Sequence, residues 1–99
     1  MSALQNLKFE RIYLMIFDRD KYLDQDKLSQ FIKTSDIILD WWHYIKSSYI
    51  LVSRLSADEL TSYMTENFKN FRFLIIEIDS RNYNGWLPPN AWDWIHKYL

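Results

Sequence analysis

In Arg11-Ile12-Tyr13-Leu14-Met15-Ile16-Phe17 every residue after the first is apolar or aromatic. Successive side chains of an extended chain point to opposite faces. Ile12, Leu14 and Ile16 therefore fall on one side, and Tyr13, Met15 and Phe17 on the other. A short run that is apolar on both sides, ended by Asp18, reads as a central strand covered above and below.

Outward from this strand, the chain turns polar between Asp18 and Asp26, where Asp18, Asp20, Asp24 and Asp26 alternate with Arg19 and Lys21. Leu28, Phe31 and Ile32 then recur at helical spacing, which predicts a helix from Asp24 to Thr34, capped by Asp24 or Asp26. Asp40-Trp41-Trp42-His43-Tyr44-Ile45 is aromatic and predicts a second strand. Ser47-Ser48 is its hairpin turn, and Tyr49 to Ser53 the third strand. Ser56-Ala57-Asp58-Glu59 has the pattern of a capping box, in which Ser56 caps a helix and Glu59 reaches back. Leu60, Tyr63, Met64 and Phe68 form that helix's apolar stripe. Phe71 to Ile78 predicts strand four. Pro88-Pro89-Asn90 opens a final helix with Asn90 as cap and Trp92, Ile95 and Leu99 on one face.

The order β-α-β-β-α-β-α predicts an α+β fold: a ferredoxin-like β-α-β-β-α-β antiparallel sheet with an added C-terminal helix, residues 1–99 forming one domain. Both main helices then cover one face of the sheet. The other face is also apolar, since strand four repeats the pattern with Leu74, Ile76 and Ile78 against Phe71, Phe73 and Ile75. The last helix covers part of it, and a second copy of the chain is the expected cover for the rest, which predicts a homodimer.

Composition narrows the function classes. The chain has 99 residues, 18% aromatic, and no cysteine, which removes disulfides, thiolate–zinc sites and thiol nucleophiles together. A small domain without disulfide staples suits a reducing cytoplasm. Met1 to Glu10 lacks the apolar core of a secretory signal, and no stretch approaches the roughly 20 apolar residues that span a bilayer, so no membrane association is expected. The net charge is −1 and the twelve basic residues are scattered, unlike the basic stripe that tracks extended nucleic acid. Gly85 is the one glycine, in Asn82-Tyr83-Asn84-Gly85-Trp86, and marks the position where backbone freedom is expected to be needed.

Three segments carry a family resemblance besides the aspartate that ends strand one. They are Trp41-Trp42-His43-Tyr44-Ile45-Lys46-Ser47-Ser48-Tyr49-Ile50-Leu51-Val52, Leu55-Ser56-Ala57-Asp58-Glu59-Leu60, and the tail from Ile76 to Pro88. Together they resemble the short bacterial and phage proteins labelled SinR-like, distinct from the helix-turn-helix repressor of that name, within the Cas-two-like superfamily of the CRISPR adaptation machinery. The resemblance implies a ferredoxin-like fold and a dimer packed through its sheets. It also implies that an aspartate at the end of strand one, here Asp18, can hold a metal ion at the dimer axis. The chain departs from the family in lacking a Pro-Gly-Gln run after that aspartate and in carrying Ile37-Ile38-Leu39 before the tryptophan pair. A role in phage counter-defence, such as sequestering a nucleotide signal, belongs to the same expectation.

The candidate site residues follow. Asp18 is the catalytic and metal candidate: two copies across a two-fold axis would hold magnesium for phosphodiester cleavage. Its plainer reading is a turn residue at a strand end. The run from Asp18 to Asp26 lacks the glycine and distal glutamate of a calcium-binding EF-hand loop. His43, between Trp42 and Tyr44, is a candidate to meet a stacked base, against the reading of a core or interface histidine. His96 is read as exposed and inert. Five tryptophans exceed what a thin core hides, which leaves Trp42, Trp86, Trp92 and Trp94 as stacking platforms or interface anchors. Arg81, Asn82 and Tyr83 beside Gly85 form a candidate polar pocket for phosphate or carboxylate, or a hydrogen-bonded loop.

Two function classes lead. One is a non-catalytic homodimer that recognises a nucleotide-like ligand or a protein partner through aromatic and Arg/Asn contacts and requires no cofactor. The other is a magnesium-dependent nuclease built on Asp18. A structural adaptor without ligand is the third.

Overall fold

The computed structural model describes residues 9–21, 23–79 and 81–99; the reading of the N-terminal stretch falls mostly on residues 1–8, outside the described residues. Its elements are β1 (Arg11–Phe17), α1 (Gln25–Thr34), β2 (Asp40–Trp42), β3 (Ser48–Ser53), α2 (Ala57–Asn67), β4 (Phe73–Glu77) and α3 (Pro89–Tyr98). The strands form one antiparallel sheet in the order β2-β3-β1-β4, with the twice-apolar β1 in the interior. Two β-α-β units joined through β2 and β3 produce this order. The fold is α+β and ferredoxin-like, with an added C-terminal helix. Among the described residues no helix is long and apolar enough to cross a membrane.

Register decides which side chains share a face. Tyr13 pairs with Leu51, and Met15 with Tyr49 on one side and Ile75 on the other. This face packs against Leu28 and Ile32 of α1 and against Leu60 and Met64 of α2, with Phe68 closing the core. The Tyr13 hydroxyl is buried with its ring and donates to the Leu55 carbonyl at 2.6 Å, so the group keeps a partner away from water. Asp24 caps α1 by accepting from the Lys27 N–H at 3.0 Å. At α2 the capping box is complete: Ser56 Oγ accepts from the Glu59 N–H, and Glu59 Oε1 accepts from the Ser56 N–H.

Several boundaries differ from the sequence pattern. β2 ends at Trp42, because the His43 ring folds onto Tyr49 and binds the Ser48 carbonyl. Ser48 belongs to β3; its N–H and hydroxyl both turn back to the Ile45 carbonyl and close the hairpin. β4 is confined to Phe73–Glu77. α3 starts on proline, without a side-chain cap, and Asn90 lies in its first turn; proline has no N–H to leave unsatisfied there. Ile37-Ile38-Leu39 extend the sheet edge: the Leu39 N–H donates to the Val52 carbonyl, Ile38 is buried, and Ser53 Oγ donates to the Ile37 carbonyl.

Gly85 does not occupy a left-handed conformation. A Cβ there would meet only the Trp92 ring, at 3.9 Å. Among the described residues the left-handed one is Asn70, with φ 59°, in the turn between α2 and β4. Asparagine tolerates that region better than most side chains.

The second sheet face carries Ile12, Leu14 and Ile16 of β1, Ile50 and Val52 of β3, and Leu74 and Ile76 of β4. Here α3 covers one end. Ala91 and Ile95 are buried, Tyr98 and Leu99 line a cavity with Ile12 and Ile78, and the Tyr98 hydroxyl donates to Asp40 Oδ2 at 2.5 Å. Ile12 and Val52 at that end are buried. At the other end Ile16, Leu74 and Ile76 remain 44%, 55% and 47% exposed.

Candidate functional site

Trp42 and Tyr44 stack together, whereas His43, just past the end of β2, packs elsewhere. Trp42 pairs with Ile50 on the face away from α1 and α2, and its ring stacks with Tyr44 at 6.1 Å between centroids. The two form an aromatic ledge beside the half-covered sheet. His43 points the opposite way. Its imidazole lies 4.1 Å from the Tyr49 ring, 12° from parallel, and Nδ1 is 2.7 Å from the Ser48 carbonyl oxygen. A carbonyl only accepts, so Nδ1 carries the proton, and in the neutral ring Nε2 holds the lone pair.

His43 opens onto a cleft of about 190 Å³ between the β2–β3 connection and the first turns of α1. Phe17, Leu28 and Tyr49 form its apolar floor, while Gln25, Asp26, Ser29 and Lys46 line its rim. Burial pushes the Tyr49 hydroxyl above its ordinary range, against the opposing effect of its hydrogen bond with Ser29. Arg19 donates twice to Gln25 Oε1, at 3.0 and 3.2 Å. This fixes the Gln25 amide with its nitrogen as the remaining donor. Sequence reasoning found His43 but not this surrounding, since the cleft exists only once α1 packs against β3. The aromatic partner it missed is Tyr49.

The β4–α3 connection holds the other group. Trp86 is 99% exposed. Tyr83 lies 6.2 Å from the His96 ring, which in turn lies 5.7 Å from Trp92. His96 is thus exposed yet embedded in an aromatic row. Arg81 lines a cavity of about 290 Å³ with Asp79 and Tyr98; the Asp79 carboxylate offsets its attraction for an anion. Asn82 is exposed in the same connection. Trp92 and Trp94 are half-buried on α3, as is Trp42 on β2, so Trp86 is the tryptophan left open.

Asp18 is exposed at the end of β1, and its N–H donates to the Arg72 carbonyl at 2.9 Å. Among the described residues no group of three or more His, Cys, Asp or Glu side chains assembles to hold a metal ion. Asp18 therefore stands as a single exposed carboxylate in the protomer.

A larger groove, of about 740 Å³, runs beside Phe68, Lys69, Asn70, Phe71 and Arg72. It continues past Phe68 and Phe71 toward Asp24 and Lys27. Its charges are mixed, and the Lys27 amino group is engaged by the Asn67 carbonyl at 2.9 Å. Lys27 thereby ties α1 to the C-terminus of α2, which a cation suits. The sequence signal for this groove, Lys69-Asn70-Phe71-Arg72, carries no distinguishing spacing.

No protein-family model, curated protein or solved structure matches the chain.

Proposed function

We infer that the chain is a non-catalytic binding protein that works as a homodimer and takes a nucleotide-like ligand or a protein partner on its exposed aromatic and Arg/Asn groups. The observation that carries this reading is the half-covered sheet. Ile16, Leu74 and Ile76 form an exposed apolar strip, flanked across the sheet by the Trp42–Tyr44 ledge. Contiguous apolar surface on a small domain marks an interaction site. Trp86 adds a flat ring that the core does not use, suited to stacking on a base or anchoring a partner.

The experiment is native mass spectrometry of protein purified gently from cells that contain its natural ligands. A mass of two chains plus a reproducible increment in the nucleotide range supports the reading and gives the ligand class. A monomer with no increment overturns it. The nuclease alternative is addressed by Asp18→Asn. As one carboxylate is a sparse ligand set, the substitution is expected to leave dimer mass and ligand increment unchanged. A magnesium-dependent cleavage activity that Asp18→Asn abolishes would instead establish the enzymatic reading.

A further inference from the structure

The imidazole of His43 is held on two sides. Tyr49 lies parallel to one face at 4.1 Å, and the Ser48 carbonyl takes Nδ1–H at 2.7 Å. The side chain is nonetheless exposed, so its other face and its Nε2 edge meet solvent or a ligand. A ring fixed in this way loses little freedom when another ring stacks on it, which is the condition for an effective platform. Tyr49 is itself braced by Phe17, 5.9 Å away, and by Trp41 in a T-shaped contact at 6.3 Å. The platform therefore rests on the core.

The cleft beside it measures about 190 Å³, below the roughly 300 Å³ at which pockets begin to hold drug-sized molecules. It suits one ring system, with any attached groups lying outside. Its rim offers a carboxylate at Asp26 and an ammonium group at Lys46. A carboxylate accepts from ring and exocyclic N–H groups; an ammonium group attracts phosphate.

We propose that this cleft binds the heteroaromatic base of a nucleotide-like ligand, with the base stacked on the His43–Tyr49 pair, its N–H donors on Asp26 and its phosphate toward Lys46. The site rests on the reading of the chain as a nucleotide binder. It places the base on the helix-covered side of the sheet, away from the apolar strip and from Trp86. Dimerisation through the strip then leaves one such cleft open in each protomer.

Calorimetric titration of the purified full chain with guanosine, adenosine and their 5′-monophosphates tests this, with circular dichroism to confirm the fold of each variant. His43→Ala is expected to weaken nucleoside and nucleotide alike, by about five- to a hundredfold, the range of base stacking on an aromatic side chain. His43→Phe, which keeps a flat ring, restores most of that loss. Lys46→Ala weakens the monophosphates and spares the nucleosides. Asp93→Asn, exposed on α3 and outside both aromatic groups, changes neither. Unchanged affinity in His43→Ala, together with loss in Trp86→Ala, overturns the cleft but keeps the nucleotide-binding reading. Failure of the wild-type chain to bind any of the four overturns the cleft and the nucleotide half of the reading, and leaves the protein-partner half to the mass measurement.

Discussion

The Tyr98 hydroxyl donates to Asp40 Oδ2 at 2.5 Å, joining side chains 58 positions apart. Asp40 stands at the start of β2, on the face opposite α1 and α2, and Tyr98 is the last residue of α3. The other carboxylate oxygen, Oδ1, accepts from the Trp41 N–H at 2.8 Å. The pair latches the C-terminal helix across one end of the sheet, over Ile12 and Val52. Without α3 over that end, the apolar strip at Ile16, Leu74 and Ile76 would extend over the whole face.

Tyr98→Phe removes the latch while keeping the ring beside Trp94, whose centroid is 4.7 Å away. A hydrogen bond to a charged group contributes about 1.5–3 kcal/mol when sheltered. Both partners are only half-buried, so a loss of about 1 kcal/mol is expected after solvent screening. Denaturant unfolding gives the stability change. Hydrogen exchange should show faster exchange confined to α3 with unchanged protection in β1; equal loss of protection in both would refute a local latch.

The same pair sets a pH window. At Asp40 burial raises the carboxyl pKa, but hydrogen bonds from Tyr98, the Trp41 N–H and Trp94 outweigh it, and the net shift is downward. Stability from this group is present above the unfolded carboxylate pKa, about 3.9, and is lost as pH falls through the lower folded value. At Tyr98 the hydrogen bond to Asp40, then burial and the Asp40 charge, push the hydroxyl up to about 12. Its contribution is complete below the unfolded value, about 10, and disappears as pH rises toward the folded one. The stability difference between wild type and Tyr98→Phe is therefore expected to be flat from about pH 5 to 9 and to shrink on both flanks. A difference that peaks inside that range would contradict the latch chemistry.

What the sequence made legible is what short-range chemistry decides. Asp24 and the Ser56/Glu59 box place helix starts because a cap acts within three residues. The two-sided apolar run of β1 places the central strand because alternation is a property of the chain itself. The Asp40–Tyr98 latch was not legible, since nothing local to either residue selects the other. The same holds for the His43 cleft, which needs α1 seated on Tyr49. Trp42, His43 and Tyr44 looked like one cluster because they are adjacent, whereas His43 turns away onto Tyr49 and the Ser48 carbonyl. Asn90 looked like a cap by residue type, but the proline pair before it fixed the start of the helix.

The two turn residues carry opposite expectations. Gly85 has a backbone any residue adopts and room for a Cβ. Gly85→Ala is therefore expected to be neutral, or to stabilise by about 0.4–1 kcal/mol through the unfolded chain's lower entropy. Asn70, at φ 59°, is strained for a side chain without asparagine's local bonding. Asn70→Ala should destabilise by about 1 kcal/mol, and Asn70→Gly should not. Thermal unfolding of the three variants decides the matter; a destabilised Gly85→Ala would mean that the loop requires glycine after all.

Leu74→Asp tests self-association through the uncovered end of the sheet. Burying the exposed halves of Ile16, Leu74 and Ile76 on both protomers supplies roughly 5–9 kcal/mol. That sum lies within the roughly 4–15 kcal/mol that association costs in lost freedom. The strip alone thus gives a weak dimer; Leu14, Ile50 and the Trp42–Tyr44 ledge must contribute for a tight one. A dimer that dissociates on dilution is the expected behaviour of the wild-type chain. In Leu74→Asp each protomer loses its most exposed strip residue and brings a carboxylate toward its twin, so the dissociation constant should rise at least about a hundredfold. Because Leu74 lies outside the core formed with α1 and α2, the variant monomer should fold as before. Light scattering across a concentration series, with circular dichroism on the same samples, gives the answer. A folded Leu74→Asp chain that remains dimeric would move the interface away from this face.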